Sequence, residues 1–331
     1  MAEPLLISDG RAMGLVDDRA RLSWLVAPRI DQPSIVSGLI DPEHGGGIEL
    51  VFPDSEPVAH RHREGTLIVE TDLEGPTGAV RVIDALAIPP RGPVQAAWPG
   101  MFVRQVLVLK GEVEIGLVTR LRYAYGRNPP RWRGEGRKII GYGPGLTIEL
   151  QSEIPPRAYG VDLGGTTTLP EGERRVMALR WQDPQAKGTD LRATVEDTAR
   201  FWRAWGADCD HDPNAVLLKG MMYHPTGAML RAATTSYGDG PLADGRLAWM
   251  EDQPRAAAAF RALGYEGEAA YIEQWIERAG DGGPVRDLSG GEPPAEAKVD
   301  DVDADIMIGA PPGDARGNIP YLPDLLDQIG A

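Results

Sequence analysis

The spacing of hydrophobic and polar positions changes once along this chain. Up to residue 190 the apolar runs are short, tend to alternate with polar residues, and are broken by Gly and Pro. That is the pattern of half-buried antiparallel strands. Phe102-Val-Arg-Gln-Val-Leu-Val-Leu109 and Val113-Glu-Ile-Gly-Leu-Val-Thr-Arg-Leu-Arg122 flank Lys110-Gly111-Glu112. Two such runs around a glycine predict a hairpin that turns at Gly111. Residues 66–71 and 79–83 predict a second strand pair, joined through Gly75-Pro76, and residues 146–150 and 176–181 add further strands. Many short strands with this punctuation predict a sandwich rather than a parallel sheet.

Near Thr194 the period becomes helical. Residues 195–205 place Phe201, Trp202 and Trp205 on one apolar face. Residues 213–230 predict a second helix, with Val216, Leu217, Gly220, Met221 and His224 at helical spacing. Residues 252–263 predict a third, with Pro254 in its first turn and Gly264 at its end. Residues 266–279 predict a fourth, with Ala269, Ile272, Ile276 and Ala279 on one side. Residues 280–318 are rich in Gly, Pro and Asp and read as a long loop, followed by a short terminal helix over 322–329.

Composition adds bounds. The chain has 331 residues, 42% hydrophobic and 25% charged, which is enough for two domains and a sizeable core. No apolar run is long enough to span a membrane, and the first residues lack the basic and apolar regions of a signal peptide. A single cysteine, Cys209, excludes an internal disulfide and a cysteine-rich metal site. A cytoplasmic location is the expectation. The net charge of −15 argues against nucleic acid or an anionic membrane as the main partner. The charge is uneven: residues 281–331 carry 11 acids and 3 bases, and residues 120–138 carry 7 bases and one acid. The basic stretch reads either as an anion site or as a solvated strand and loop.

The opening residues carry a family resemblance. Leu6-Ile-Ser-Asp-Gly10, Leu22-Ser-Trp-Leu-Val-Ala-Pro-Arg-Ile-Asp-Gln-Pro-Ser34 and Asp41-Pro-Glu-His-Gly-Gly46 come in order. They are followed by Thr66-Leu-Ile-Val-Glu-Thr71, Val80-Arg-Val-Ile-Asp84, Phe201-Trp-Arg-Ala-Trp205 and Leu217-Leu-Lys-Gly-Met-Met-Tyr-His-Pro-Thr-Gly-Ala228. Ala233-Thr-Thr-Ser236, Ala262-Leu-Gly-Tyr-Glu-Gly-Glu-Ala269 and Ala270-Tyr-Ile-Glu-Gln-Trp275 continue the series. Together they resemble the bacterial glucoamylase- and trehalase-like proteins of glycoside hydrolase family 15. The resemblance implies a two-domain α+β fold. It comprises an N-terminal antiparallel β-sandwich (1–190), a linker helix (191–212), helices of a partial (α/α)6 barrel (213–279), and a loop with a terminal helix (280–331). In the family, one glutamic acid protonates the leaving oxygen of an α-glucosidic bond and a second carboxylate activates water.

Two departures bear on function. No counterpart of the segments that carry the acid and base is present, so the chain reads as shortened and its catalytic residues are unassigned. The family's substrate motif, which ends in Trp-Leu-Arg-Asp-Ala, is degraded to Gly245-Arg-Leu-Ala-Trp-Met-Glu-Asp-Gln253. Trp249 and Asp252 match, and Glu251 stands at the arginine position. In the family the Arg–Asp pair grips sugar hydroxyls, and the reversed charge removes half of that grip.

The substrate-binding candidates are Arg246, Trp249, Glu251, Asp252 and Tyr223. Each has a structural reading beside the functional one. Asp252 precedes Pro254 and reads equally as a helix N-cap. Trp249 fits a core or a stacking platform, and Tyr223 and His224 fit an apolar face. His60 and His62 share a strand face without a third metal ligand. Cys209 near His211 has no nucleophile context. Gly45-Gly-Gly47 reads as a turn. No metal or cofactor is expected.

Four helices cannot close a twelve-helix barrel, so an apolar helical face is expected to be open. It would be covered by the sandwich, a second copy of the chain, or a partner protein. The expected function is carbohydrate-related, without standard hydrolysis, in sugar binding or protein interaction. The alternative is an enzyme acting on an α-glucoside or another sugar-like substrate, alone, as a homodimer, or with a partner that supplies the missing barrel.

Overall fold

The computed structural model describes residues 3–89, 100–181, 190–209, 212–235, 244–280, 283–292 and 320–330. The N-terminal part is antiparallel sheet in two layers. The first layer joins β1 (Leu5–Ser8), β2 (Met13–Val16), β3 (Leu22–Val26) and β4 (Gly47–Val51) to the second half of β8 (Met101–Arg120). It continues into β13 (Asp162–Pro170) and β12 (Arg157–Tyr159). The second layer runs from β5 (Glu56–His62) through β6 (Val69–Gly75) and β7 (Gly78–Leu86) to the first half of β8. It then passes to β14 (Arg174–Arg180), β11 (Leu146–Ser152), β10 (Lys138–Gly143) and β9 (Arg131–Glu135).

β8 replaces the hairpin expected at Lys110-Gly111-Glu112. It runs on for 20 residues and changes partners there, from β7 and β14 to β4 and β13. The reason lies in side-chain parity. Phe102, Val106 and Val108 face the inter-layer core before the glycine, and Val113, Ile115 and Leu117 face it after. Even positions give way to odd ones because the register slips between Ala79 and Val80, leaving Leu109 unpaired opposite them. A bulge of one residue restores the inward face as the strand crosses layers. Gly111 has φ +79°, and a Cβ there would stand 2.3 Å from the Thr77 carbonyl oxygen.

The sandwich core also holds one ion pair. Arg104 and Asp84, 0% and 1% exposed, meet through Nε–H and Nη2–H donation at 2.8 Å each. The Arg104 guanidinium also donates to the carbonyls of Ala20 and Ile48. A buried pair persists only when its remaining donors are satisfied in this way.

Five α-helices follow among the described residues. α1 (Leu191–Gly206) is capped by the Asp190 carboxylate, which accepts from the Arg192 and Ala193 amides. Its Leu191, Val195 and Ala199 pack on the outer face of the second layer, against Ile83, Met101, Val103 and Val176. α2 (Pro213–Gly220) is shorter than the 213–230 helix the spacing predicts. Met222–Tyr223 (β15) and Ala228–Met229 (β16) pair as a two-stranded hairpin instead. Pro225 and Gly227, the latter at φ +85°, make its turn, and a Cβ on Gly220 would come within 2.3 Å of Leu67. α3 (Asp252–Ala262) and α4 (Glu266–Ala279) follow the predicted spans closely. Val285–Arg286 (β18) lies inside the expected loop and pairs with Ala248–Trp249 (β17). Most of the remainder of that loop lies outside the described residues. α5 (Leu322–Ile329) ends the described chain.

β1 to β3 are buried on both faces. Leu6, Met13, Leu15, Trp24 and Val26 point away from the inter-layer core and share one buried apolar cluster with Trp202, Phe260, Ile272, Trp275 and Leu326 of the helices. Among the described residues, the outer face of β1 to β3 thus contributes to covering the apolar faces of the helices. The exposed large hydrophobic side chains among the described residues, Val51, Val58, Leu109, Tyr142, Tyr159 and Val161, all belong to the sandwich. No described helix is long and apolar enough to cross a membrane.

Candidate functional site

Arg231 organises the site. It follows β16 in the apolar run Ala228-Met-Leu-Arg-Ala-Ala233, and an isolated cation there needs a counter-charge. Its Nε–H donates to Asp252 Oδ2 at 2.6 Å, and its Nη2–H donates to Glu251 Oε1. Its guanidinium carbon lies 3.8 Å from the ring centroid of Trp249, within cation–π range. Burial opposes the guanidinium charge, but the bonds to Asp252 and Glu251 outweigh it and raise its pKa above the ordinary value. The side chains of Asp252 and Arg231 are 3% and 11% exposed, whereas Glu251 is 72% exposed. Asp252 is thus buried against Arg231, and Glu251 lies at the surface beside it.

Asp252 is not the N-cap the sequence allows. Glu251 occupies the cap position without a side-chain cap bond, and Asp252 is the first residue of α3. Its carboxylate turns instead to Arg231, where both partners of the hydrogen bond are charged. Gln253, fully buried, fixes this end of the helix: its side chain bonds both the amide and the carbonyl of Met229, and the carbonyl of Trp249.

No family model matches the chain. It is 29% identical over 303 residues to a trehalase of Mycolicibacterium smegmatis, covering 80% of this chain and 45% of that one. A trehalase of Mycobacterium tuberculosis is 28% identical over 304 residues, with 81% and 45% covered. A bacterial glucoamylase solved in complex with acarbose superposes with a TM-score of 0.61 at 12% identity, over 87% of this chain and 52% of that one. Trehalases and a glucoamylase thus align with the same sandwich and helices. The chain is glycoside hydrolase family 15-like. It spans about half the length of the relatives it matches.

In this family 15-like chain Arg246 and Tyr223 bind partners other than the Arg231 cluster. Arg246 is 2% exposed, and its guanidinium donates to both oxygens of Asp244, to Tyr125 Oη, and to the carbonyls of Ile30 and Gln32. All five of its N–H donors are committed, three of them to Ile30, Gln32 and Tyr125 of the sandwich. Tyr223 lies on β15 with the Arg29 guanidinium 5.9 Å from its ring centroid. Burial, the largest influence, pushes its phenol pKa up.

The remaining candidates resolve as follows. His62 donates from Nε2 to the Leu6 carbonyl at 2.7 Å, and burial lowers its pKa to about 4. His60 Nδ1 lies 2.9 Å from Thr71 Oγ1. No group of three potential metal ligands occurs among the described residues. His224 is also lowered to about 4, by burial and then by the Lys219 and Arg11 charges. Cys209 donates to the Gly206 carbonyl, while His211 lies outside the described residues. Gly45 and Gly46 form the expected turn before β4, with the Gly45 carbonyl accepting from Ser37. In the basic stretch, Arg120 pairs with Glu49, Arg122 with Asp162 and Lys138 with Glu149. A cleft of about 210 Å³ lies elsewhere, where β11 and β14 meet the start of α1.

Proposed function

We propose that the chain is a carbohydrate-binding protein that takes an α-glucoside at Trp249, Glu251, Asp252 and Arg231, and that this site does not itself cleave the glycosidic bond. The observation that carries the reading is the bridge from Arg231 to Asp252 at 2.6 Å. It returns a cation to the aspartate at which the family's own arginine position holds Glu251. A planar guanidinium beside a carboxylate and an indole matches the alternating hydroxyls and apolar faces of a hexose.

The same bridge argues against cleavage by these carboxylates. An inverting pair stands roughly 6.5–9.5 Å apart on opposite sides of the sugar. Glu251 and Asp252 grip one guanidinium from one side. In this reading α2, α3 and α4 correspond to the opening helices of an (α/α)6 barrel, and the sandwich supplies their packing surface.

Calorimetric titration with trehalose and maltose tests the proposal. Binding to the wild-type chain, weakened about tenfold or more in Asp252→Asn, is expected from loss of a charged hydrogen-bond acceptor. Equal affinity in the variant would sink the assignment. The relatives' name favours hydrolysis as the second reading. Release of glucose from trehalose by the purified chain would establish it over simple binding.

A further inference from the structure

A hydroxyl-binding pair that is 3% and 11% exposed needs a way to be reached. α5 is joined to it through the backbone. The Leu322 amide donates to the Arg231 carbonyl at 2.7 Å, and Tyr321 bridges to Ala232, the next residue. Leu322, Leu325 and Leu326 are buried in the helical core, and Asp327 pairs with Arg255 of α3 at 2.5 Å. The N-terminal end of α5 is therefore pinned to the backbone of the very arginine that holds Asp252.

We propose that α5, with Tyr321 at its start, is a displaceable cover over the Arg231–Asp252 pair, and that a sugar reaches the pair only when α5 lifts. The proposal rests on the reading of that pair as the sugar site. Two features make α5 removable. It has eight residues, too few for a stable helix in water, so leaving its seat also melts it and the change is an order–disorder step. Its hold on α3 includes an ion pair whose side chains are 39% and 73% exposed, which contributes little. With the cover closed most of the time, the observed affinity is the intrinsic affinity reduced by the open fraction.

Hydrogen exchange on the wild-type chain reads both events separately. Saturating trehalose is expected to slow exchange over 246–253 and to speed it over 321–329. Protection of 246–253 with 321–329 unchanged or slowed would overturn the cover and leave the sugar site standing. No protection over 246–253 would remove the site, and the cover with it. A variant supplies the converse. Leu325→Asp loosens the seat and is expected to tighten trehalose binding about tenfold by calorimetry, because the open fraction rises. Unchanged or weaker binding in that variant overturns the proposal. If Leu325→Asp does not melt cooperatively, Leu325→Ala, which thins the same buried seat, is expected to move affinity in the same direction by a smaller factor, and unchanged or weaker binding there overturns the proposal as well.

Discussion

Arg231 and Asp252 lie 21 positions apart in sequence and meet at 2.6 Å in a site where the carboxylate is 3% exposed. Removing one partner of such a pair leaves a buried charge uncompensated. Arg231→Ala is expected to lower unfolding stability by about 3–5 kcal/mol, measured by urea denaturation. The double variant Arg231→Ala with Asp252→Ala is expected to recover part of that loss, because the orphaned carboxylate goes with its partner. A double variant as unstable as the sum of the singles would refute the coupling.

Arg246 makes a second prediction about how the two parts of the chain hold together. Its guanidinium binds Asp244 beside the site and the Ile30 and Gln32 carbonyls of the sandwich. Lysine carries the charge but lacks the planar fork. Arg246→Lys should therefore destabilise almost as much as Arg246→Ala, by roughly 3 kcal/mol or more. Thermal melting of both variants checks this, and full rescue by lysine would contradict it.

Gly111 tests the strand crossing. A Cβ at this position meets the Thr77 oxygen at 2.3 Å, and φ is +79°. Gly111→Val combines backbone strain with a clash against main chain, and is expected to cost at least about 2 kcal/mol in urea denaturation. A variant with wild-type stability would mean that the bulge is not required.

His62 sets a pH dependence. Its folded pKa of about 4 lies below the unfolded value of 6.5. The unfolded chain therefore takes up a proton that the native chain refuses between these values, and stability falls as pH drops from 6.5 toward 4. After allowance for the part exposure of the ring, the loss is about 2 kcal/mol. Urea midpoints at pH 7.5 and pH 4.5 should differ less in His62→Gln than in the wild-type chain. An equal difference would place the pH dependence elsewhere.

Much of the architecture is legible from local pattern. Period-two runs mark the sandwich strands, the change near Thr194 marks α1, and Pro254 and Gly264 bracket α3 to within two residues. The failures share one cause. The Lys110-Gly111-Glu112 stretch has the composition of a turn, but whether a glycine reverses a strand or bulges it depends on which strands flank it. The helical spacing over 213–230 is real, yet Leu67 approaches Gly220 and the hairpin of β15 and β16 replaces the last turns. Asp252 was visible as a candidate, and its true partner was not. Arg231 carried one signal, a lone cation in an apolar run, and nothing local names the carboxylate that answers it.

The sequence by itself determines the change from strands to helices near Thr194 and the spans of α3 and α4, and it offers Trp249, Glu251 and Asp252 as candidates, because each depends on side-chain periodicity or on neighbours in the chain. Only the tertiary structure decides that β8 serves both layers, that the outer face of β1 to β3 joins the apolar cluster of the helices, and that Arg231 pairs with Asp252. These are contacts between residues distant in sequence. Their free energy comes from burial and charge pairing in space, which no local pattern records.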